Sequence, residues 1–331
     1  MDKEIINVDR RRMLIGLSAL TACCALPVFN SLPVFAQSAD KLRAAVGSVP
    51  DYTHFYVADA LNLWSQHGLA GTQSMFPAGR IALDAMFSGN ADIASSAETP
   101  AIFAAVNGLP IQIIATVARY QSFNLIAGPK IKDLNDLAGK RIAYMHGTNT
   151  HFYLVSLIKS RNLAWSDIVP INMASATMVP SLVNGDVDGF VWSEPLISEA
   201  LKQGPQFHRL HAEGVYSVNC CVSALRATVE KQPDMLAKAL RALMDADKIM
   251  KTEESKAQKI MSDVLKLDPA AAAALWPGIT FEVAMDKQRL IPVLEQQAQW
   301  AIENKLTKDG AALPDFAAIV TDEIYRKAKT N

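Results

Sequence analysis

Two short stretches hold most of the polar chemistry in this sequence. His146-Gly147-Thr148-Asn149-Thr150-His151 lies between the apolar run Arg141–Met145 and a segment with Leu154, Leu157 and Ile158 at helical spacing. Trp192-Ser193-Glu194-Pro195 closes a second apolar run, Val187–Trp192. A strand that turns through Gly, Thr, Asn and Thr into a helix leaves the first helical N–H groups without intrahelical partners. With the positive end of the helix dipole, those donors suit an oxyanion. Simple capping of the helix by Thr148 or Thr150 is the structural alternative. The sequence contains no G-x-S-x-G elbow, G-x-G-x-x-G, P-loop lysine, H-E-x-x-H or EF-hand loop. An isolated Ser, His or Glu does not make a triad, so no catalytic residue, metal ligand or cofactor is assigned.

The turn occurs twice. Thr150-His151-Phe152-Tyr153 is matched by Thr53-His54-Phe55-Tyr56, which follows the loop Gly47-Ser48-Val49-Pro50-Asp51-Tyr52. A second match lies almost in register with the first. Gly89, Asp92 and Glu98 keep the same mutual spacing as Gly185, Asp188 and Glu194. Two in-register matches point to a duplicated unit of two facing lobes, too few for a solenoid.

The elements around these motifs alternate. Lys41–Val46 reads as a strand, His54–Gln66 as a helix, and Ile81–Phe87 as a helix closed by Gly89. Asp92–Ser95 is a strand, Glu98-Thr99-Pro100 opens a helix, and Pro110–Val117 is a β-branched run. In the second unit the expected order is strand 122–127, short helix 132–140, strand 141–145 and a helix to Arg161. Strand 169–173, helix 177–183, strand 187–192 and a helix from Pro195 follow, and 206–210 and 217–222 complete the unit. From Thr228 onward the chain is expected to be helical. The fold class is therefore α/β, with two lobes, each a mostly parallel sheet flanked by helices, and a helical C-terminal region. Residues 37–124 and 222–331 are assigned to lobe 1 and residues 125–221 to lobe 2. Two chain crossings make a hinge, and the cleft lies at the C-terminal ends of both sheets.

Half of the 331 residues are apolar, 20% are charged and the net charge is −1, so nucleic acid is not an expected partner. Residues 1–36 read as a secretory signal: Arg10-Arg11-Arg12, an apolar run from Met13, and the small-x-small end Val34-Phe35-Ala36. The order around Arg10–Met13 resembles a twin-arginine signal, and Leu20-Thr21-Ala22-Cys23 leaves a lipid anchor on Cys23 open. Cys220 and Cys221 are adjacent, lack CxxC spacing, and read as small buried strand residues.

The cleft candidates follow from this arrangement. Lobe 1 offers Ser48, Tyr52 and Thr53 of the first loop, Arg80, and Ser96, Glu98 and Thr99. Lobe 2 offers Thr148, Asn149, Thr150 and His151, with Trp192 and Glu194. Hydroxyls and N–H groups would hold an acidic head, and Trp192 would lie flat on an apolar or cationic portion. Glu98 and Glu194 either pair with a ligand amine or favour their helix starts through the dipole. His151, like His54, either touches ligand or is structural.

These residues resemble the solute-binding proteins of bacterial ABC importers, in the branch for nitrate, sulfonates, taurine and thiamine-precursor pyrimidines. The matching stretches are Gly79-Arg80 with Gly89-Asn90-Ala91-Asp92-Ile93, Asp136–Ala143, Gly147–His151, Gly185-Asp186-Val187-Asp188 and Trp192-Ser193-Glu194-Pro195. The resemblance implies a two-lobed type II periplasmic-binding fold, exported to the periplasm, that closes on a small organic anion or zwitterion. It also implies a membrane permease and ATPase as partners, a monomeric state, and a site lined by the Gly147–His151 turn and the Trp192–Glu194 loop. Ser193 stands where many relatives have the acidic residue directly after Trp. An enzyme resembling the pyrimidine synthases of thiamine biosynthesis is the rival reading, and a ligand-sensing receptor subunit is a third.

Overall fold

The computed structural model describes residues 39–121 and 123–330. The proposed export segment, with Arg10–Arg12 and Cys23, lies outside them. Eleven strands form two sheets among the described residues. The first sheet holds β1 (Asp40–Gly47), β2 (Leu69–Phe76), β3 (Ile93–Ala97), β4 (Ile111–Tyr120), β10 (Val218–Leu225) and β11 (Ile279–Ala284), in the order β11-β4-β10-β3-β1-β2. The second holds β5 (Asn124–Ala127), β6 (Arg141–Tyr144), β7 (Val169–Asn172), β8 (Gly189–Trp192) and β9 (His208–His211), in the order β7-β6-β8-β5-β9.

The duplication read from the sequence is present in the topology. In sheet one β1 pairs parallel with β2 and β3, and β3 meets β10 antiparallel. In sheet two β6 pairs parallel with β7 and β8, and β8 meets β5 antiparallel. Both sheets are thus mixed: three parallel strands carry the βαβ crossovers, and antiparallel strands bring the chain in and out.

The repeated Gly and Asp serve one structural device in each unit. Gly89 and Gly185 follow the Gly79–Phe87 and Ser175–Val183 helices with φ of +75° and +77°, a conformation that favours glycine. Arg43, in β1, bonds Asp92 through its backbone N–H (2.8 Å) and guanidinium (2.6 Å), and reaches the Gly89 carbonyl (2.6 Å). Arg141, opening β6, does the same to Asp188 (2.9 and 2.8 Å) and the Gly185 carbonyl (2.7 Å). Each clamp ties a helix C-terminus to β1 and β3 or to β6 and β8, and fixes where β3 and β8 begin.

Between Tyr120 and Asn124, and again between His211 and Val218, the chain passes from one sheet to the other. Strand β10 lies wholly in sheet one, so an exchange placed between residues 221 and 222 falls inside that strand. Phe123 on one crossing stacks on Tyr216 of the other, with ring planes 7° apart. The C-terminal helices pack on sheet one. Met235, Leu236, Ala239, Leu240, Leu243, Ala246 and Met250 make the buried stripe of the Pro233–Thr252 helix, at i, i+3 and i+4 spacing. The His54–Asp247 and His67–Asp245 hydrogen bonds and the Lys238–Asp40 ion pair join that helix to the first unit.

Four expectations are corrected. Residues 132–140 form turns, because Asp136 accepts the N–H groups of Lys132 and Asp133, and Asp133 accepts that of Asn135. Such side-chain bonds compete with a helical ladder. The helix expected over 54–66 breaks at Asn62 (φ +54°) into Thr53–Ala60 and Leu63–Gln66. Strand β2 was not expected, and β11 interrupts the helical C-terminal region by pairing with the open edge of β4. Cys220 and Cys221 are buried free thiols within β10. Among the described residues, no helix is long and apolar enough to cross a membrane.

The clamp predicts a stability loss. Asp188→Ala leaves Arg141 without its carboxylate and should lower unfolding free energy in urea by about 1.5–3 kcal/mol. Asp92→Ala should cost less, because Arg43 is the more exposed arginine (48% against 34%). Equal urea midpoints for the Asp188 variant and the wild type would show that the clamp contributes nothing.

Candidate functional site

At the C-terminal ends of the parallel strands, the two sheets face each other across a narrow cavity of about 30 Å³. That is room for roughly two waters. Its walls come from both units: Asp51 and Tyr52 after β1, Gly79 and Arg80, Ala97 and Pro100 after β3, and Tyr120 at the end of β4. Opposite stand Thr148, Asn149 and Thr150 after β6, and Trp192 and Ser193 at the end of β8.

Three helices start at this cavity: Gly79–Phe87, Glu98–Val106 and Asn149–Ser160. Their N-cap residues are Ala78, Ala97 and Thr148, all in extended conformation, and none supplies a side-chain cap. Alanine has no acceptor to offer. The Thr148 hydroxyl turns back to the Met145 carbonyl (2.7 Å) and also meets the Thr150 hydroxyl (2.8 Å). The first N–H groups of the Gly79–Phe87 and Asn149–Ser160 helices are therefore left to whatever occupies the cavity, whereas Glu98 binds its own N–H through its carboxylate and Pro100 has none to offer. Gly79 makes one of these approaches possible: a Cβ there would lie 2.8 Å from the Ser96 Cα, so only glycine lets this helix start sit against the end of β3. Arg80 adds a guanidinium that has no hydrogen bond or ion pair among the described residues. Helix starts and a free cation at one cavity make a positive field suited to an acidic head group.

A polar bridge crosses the same cavity. Asn149 Nδ2 donates to the Tyr120 hydroxyl (3.2 Å), and Tyr120 in turn bonds Asp51. The Asp51 loop is fixed from behind by Tyr56, whose hydroxyl donates to the Gly47 carbonyl (2.6 Å) and accepts from Val49 N–H (3.1 Å). Burial lifts the Asp51 carboxyl to about 7, against the opposing effect of the Tyr120 hydrogen bond.

Of the thirteen residues named from the sequence, the cavity brings together Tyr52, Arg80, Thr148, Asn149, Thr150 and Trp192. The others have different surroundings. Ser48 donates its backbone N–H to Phe76, and the Thr53 hydroxyl binds the Pro50 carbonyl. Ser96 is buried within β3, and its hydroxyl has no partner among the described residues. Glu98 is held by Tyr216, the Asn219 N–H and Gln297, and Thr99 by Tyr216 and Gln297, in a buried network behind the cleft. Glu194 accepts from Ser198 N–H (2.8 Å) and pairs with Arg209 (2.7 Å), which turns it away and leaves Ser193 on the cavity wall. His151 is enclosed by the rings of Tyr144, His146, Trp165 and Trp300. Burial, with a smaller contribution from His146, lowers its pKa to about 3, so the imidazole is neutral near pH 7.

Sequence reading missed Tyr120 and Phe123 as cavity residues, whereas Asp51 and Ser193 lie within the first loop and the Trp192–Glu194 loop that it had placed at the cleft. In the repeat, Asp51 belongs to the loop that corresponds to Gly147–Asn149.

A family model described as "NMT1/THI5 like" matches residues 49–257 of the chain. The chain belongs to that family. It is 24% identical over 235 residues to a putative aliphatic sulfonates-binding protein of Escherichia coli K12, covering 70% of this chain and 74% of that protein. It is 26% identical over 151 residues to the taurine-binding periplasmic protein of the same strain, covering 45% and 47%. Among solved structures, the alkanesulfonate-binding protein SsuA from Xanthomonas axonopodis pv. citri, bound to MOPS, superposes with a TM-score of 0.77. That match has 20% identity and covers 86% of this chain and 99% of the other. The fold of this NMT1/THI5-like chain is thus the two-lobed periplasmic-binding fold, with the cavity between the lobes.

The position of Asp51 gives a pH prediction. An unfolded aspartate titrates near 4, and the folded group titrates near 7. The folded state therefore holds the proton over that window, and stability falls as pH rises from about 4 to about 7. In urea unfolding at pH 4.5 and pH 8, Asp51→Asn should lose less stability than the wild type on going to the higher pH. Parallel pH profiles would contradict the assignment.

Proposed function

We propose that this protein is the solute-binding component of an ABC importer, capturing a small organic anion or zwitterion of the sulfonate, taurine or nitrate type and delivering it to a membrane permease and its ATPase. The observation that carries this reading is the convergence of the Gly79–Phe87 and Asn149–Ser160 helix starts, neither with a side-chain cap, and of Arg80, on one interlobe cavity. The sulfonate- and taurine-binding relatives support the same ligand class.

In this reading residues 1–36 direct export to the periplasm, through the twin-arginine route or with a lipid on Cys23, and the mature protein works as a monomer. Lobe 1 follows the first sheet and lobe 2 the second, so the expected boundaries at 124/125 and 221/222 move to the crossings between Tyr120 and Asn124 and between His211 and Val218. The contact set is Tyr52, Arg80, Thr148, Asn149, Thr150 and Trp192, joined by Asp51, Tyr120 and Ser193. The cavity holds too little volume for a solute to enter as it stands, so the lobes part about the two crossings and close again around the ligand. Binding without turnover is favoured by the nucleophiles present: burial pushes the Cys220 and Cys221 thiols up, and His151 is walled in by aromatic rings.

A thermal-shift series with ethanesulfonate, taurine, nitrate and a short carboxylate tests the reading. At a hundredfold excess over the dissociation constant, a true ligand adds about 2.7 kcal/mol of stability. A clear rise in Tm with at least one of these anions is expected. No shift with any of them, or chemical conversion of the one that binds, would overturn the proposal. Trp192→Ala should weaken the bound anion by about tenfold while the fold is kept. Unchanged affinity would remove Trp192 from the contact set.

A further inference from the structure

Four carboxyl groups are buried among the described residues: Asp51, Glu98, Asp188 and Glu194. Three have full sets of partners. Asp188 is paired with Arg141 and Lys130, and Glu194 with Arg209. Glu98 accepts from Tyr216, Gln297 and the Asn219 N–H. Asp51, 3% exposed, has no ion pair and a single side-chain donor, Tyr120, and it is the one that lines the ligand cavity.

The direction of the bridge defines its state. The Tyr120 hydroxyl accepts from Asn149, so its own proton is given to Asp51. The carboxyl accepts that bond, and because it titrates near 7 an arriving cation favours its charged form. The titratable groups that face it are Tyr52, Tyr56, Tyr120 and Cys220, none of them a cation. Arg80, on the same cavity, forms no ion pair with it. A buried carboxylate without a counter-charge is costly, so the group keeps its proton until a cationic partner stabilises the charged form.

We propose that the solute carries a cationic nitrogen at the end away from its acidic head, and that Asp51 is the residue that selects it. This rests on the anion-receptor reading above. The helix starts and Arg80 hold the acidic head, Asp51 receives the ammonium, and Tyr120 and Asn149 connect that contact to the opposite lobe. A plain anion of the same length would bring a second negative group toward Asp51 and meet no partner there. The selectivity is then a charge match at one end of the cavity, with the acidic head common to all ligands.

Calorimetric titration of the purified protein with taurine, ethanesulfonate and 2-hydroxyethanesulfonate tests this. Taurine is expected to bind at least about tenfold more tightly than either of the others, a difference of about 1.4 kcal/mol. In Asp51→Asn the ratio should fall toward one, with taurine weakened and ethanesulfonate strengthened. If the variant does not fold, the wild-type ratios alone decide. Ethanesulfonate binding as tightly as taurine would overturn the inference. So would 2-hydroxyethanesulfonate doing so, since a neutral hydroxyl would then suffice, or a variant that weakens all three ligands equally. In each of these cases the anion site itself stands. If none of the three binds and nitrate and carboxylate also fail to shift the Tm, both readings fall.

Discussion

Buried backbone N–H groups require acceptors, and in this structure two sets of them, at the starts of the Gly79–Phe87 and Asn149–Ser160 helices, open on one cavity. Neither start has a side-chain cap. A capped helix start is ordinarily worth about 1 kcal/mol, and here one N-cap is alanine and the other a threonine whose hydroxyl turns back to Met145. Stability is given up locally in a way that makes sense only if an acceptor is supplied from outside the chain. Much of the remaining architecture serves to keep those two starts together, from two different sheets.

The duplicated strand order accounts for this placement. A β-strand followed by a helix delivers a helix N-terminus to the C-terminal edge of its sheet, and two such sheets facing each other deliver theirs to one cleft. The Arg43–Asp92–Gly89 and Arg141–Asp188–Gly185 clamps lie at the opposite ends of the strands and set their register. The crossings are fixed by the Phe123–Tyr216 stack and by the Glu98 network. Tyr120 joins the two ends of this arrangement: it closes β4, precedes the first crossing, and bonds Asn149 of the other lobe.

How much of this could be read from the sequence depended on the range of each interaction. The Gly and Asp of the repeat were legible because a left-handed turn after a helix, and an acceptor before the next strand, are local requirements. The arginines that complete the clamps were not, since they lie more than forty residues away. Strand β2 was missed because it is an edge strand with little apolar alternation, and β11 because it exists only by pairing with a free edge far back in the chain. Glu98, Glu194 and His151 sit beside the cleft in sequence but face other partners, and those partners (Tyr216, Arg209, Trp300) are chosen by tertiary packing. Asp51 reads as a turn residue beside Pro50. Its burial against Tyr120 is a property of the fold alone.

The most direct test of the central claim is a crystal structure of the protein grown with a bound sulfonate. The account predicts sulfonate oxygens about 3 Å from N–H groups at the starts of the Gly79–Phe87 and Asn149–Ser160 helices, with Arg80 alongside. A sulfonate seated elsewhere, with these helix starts facing only solvent, would contradict it.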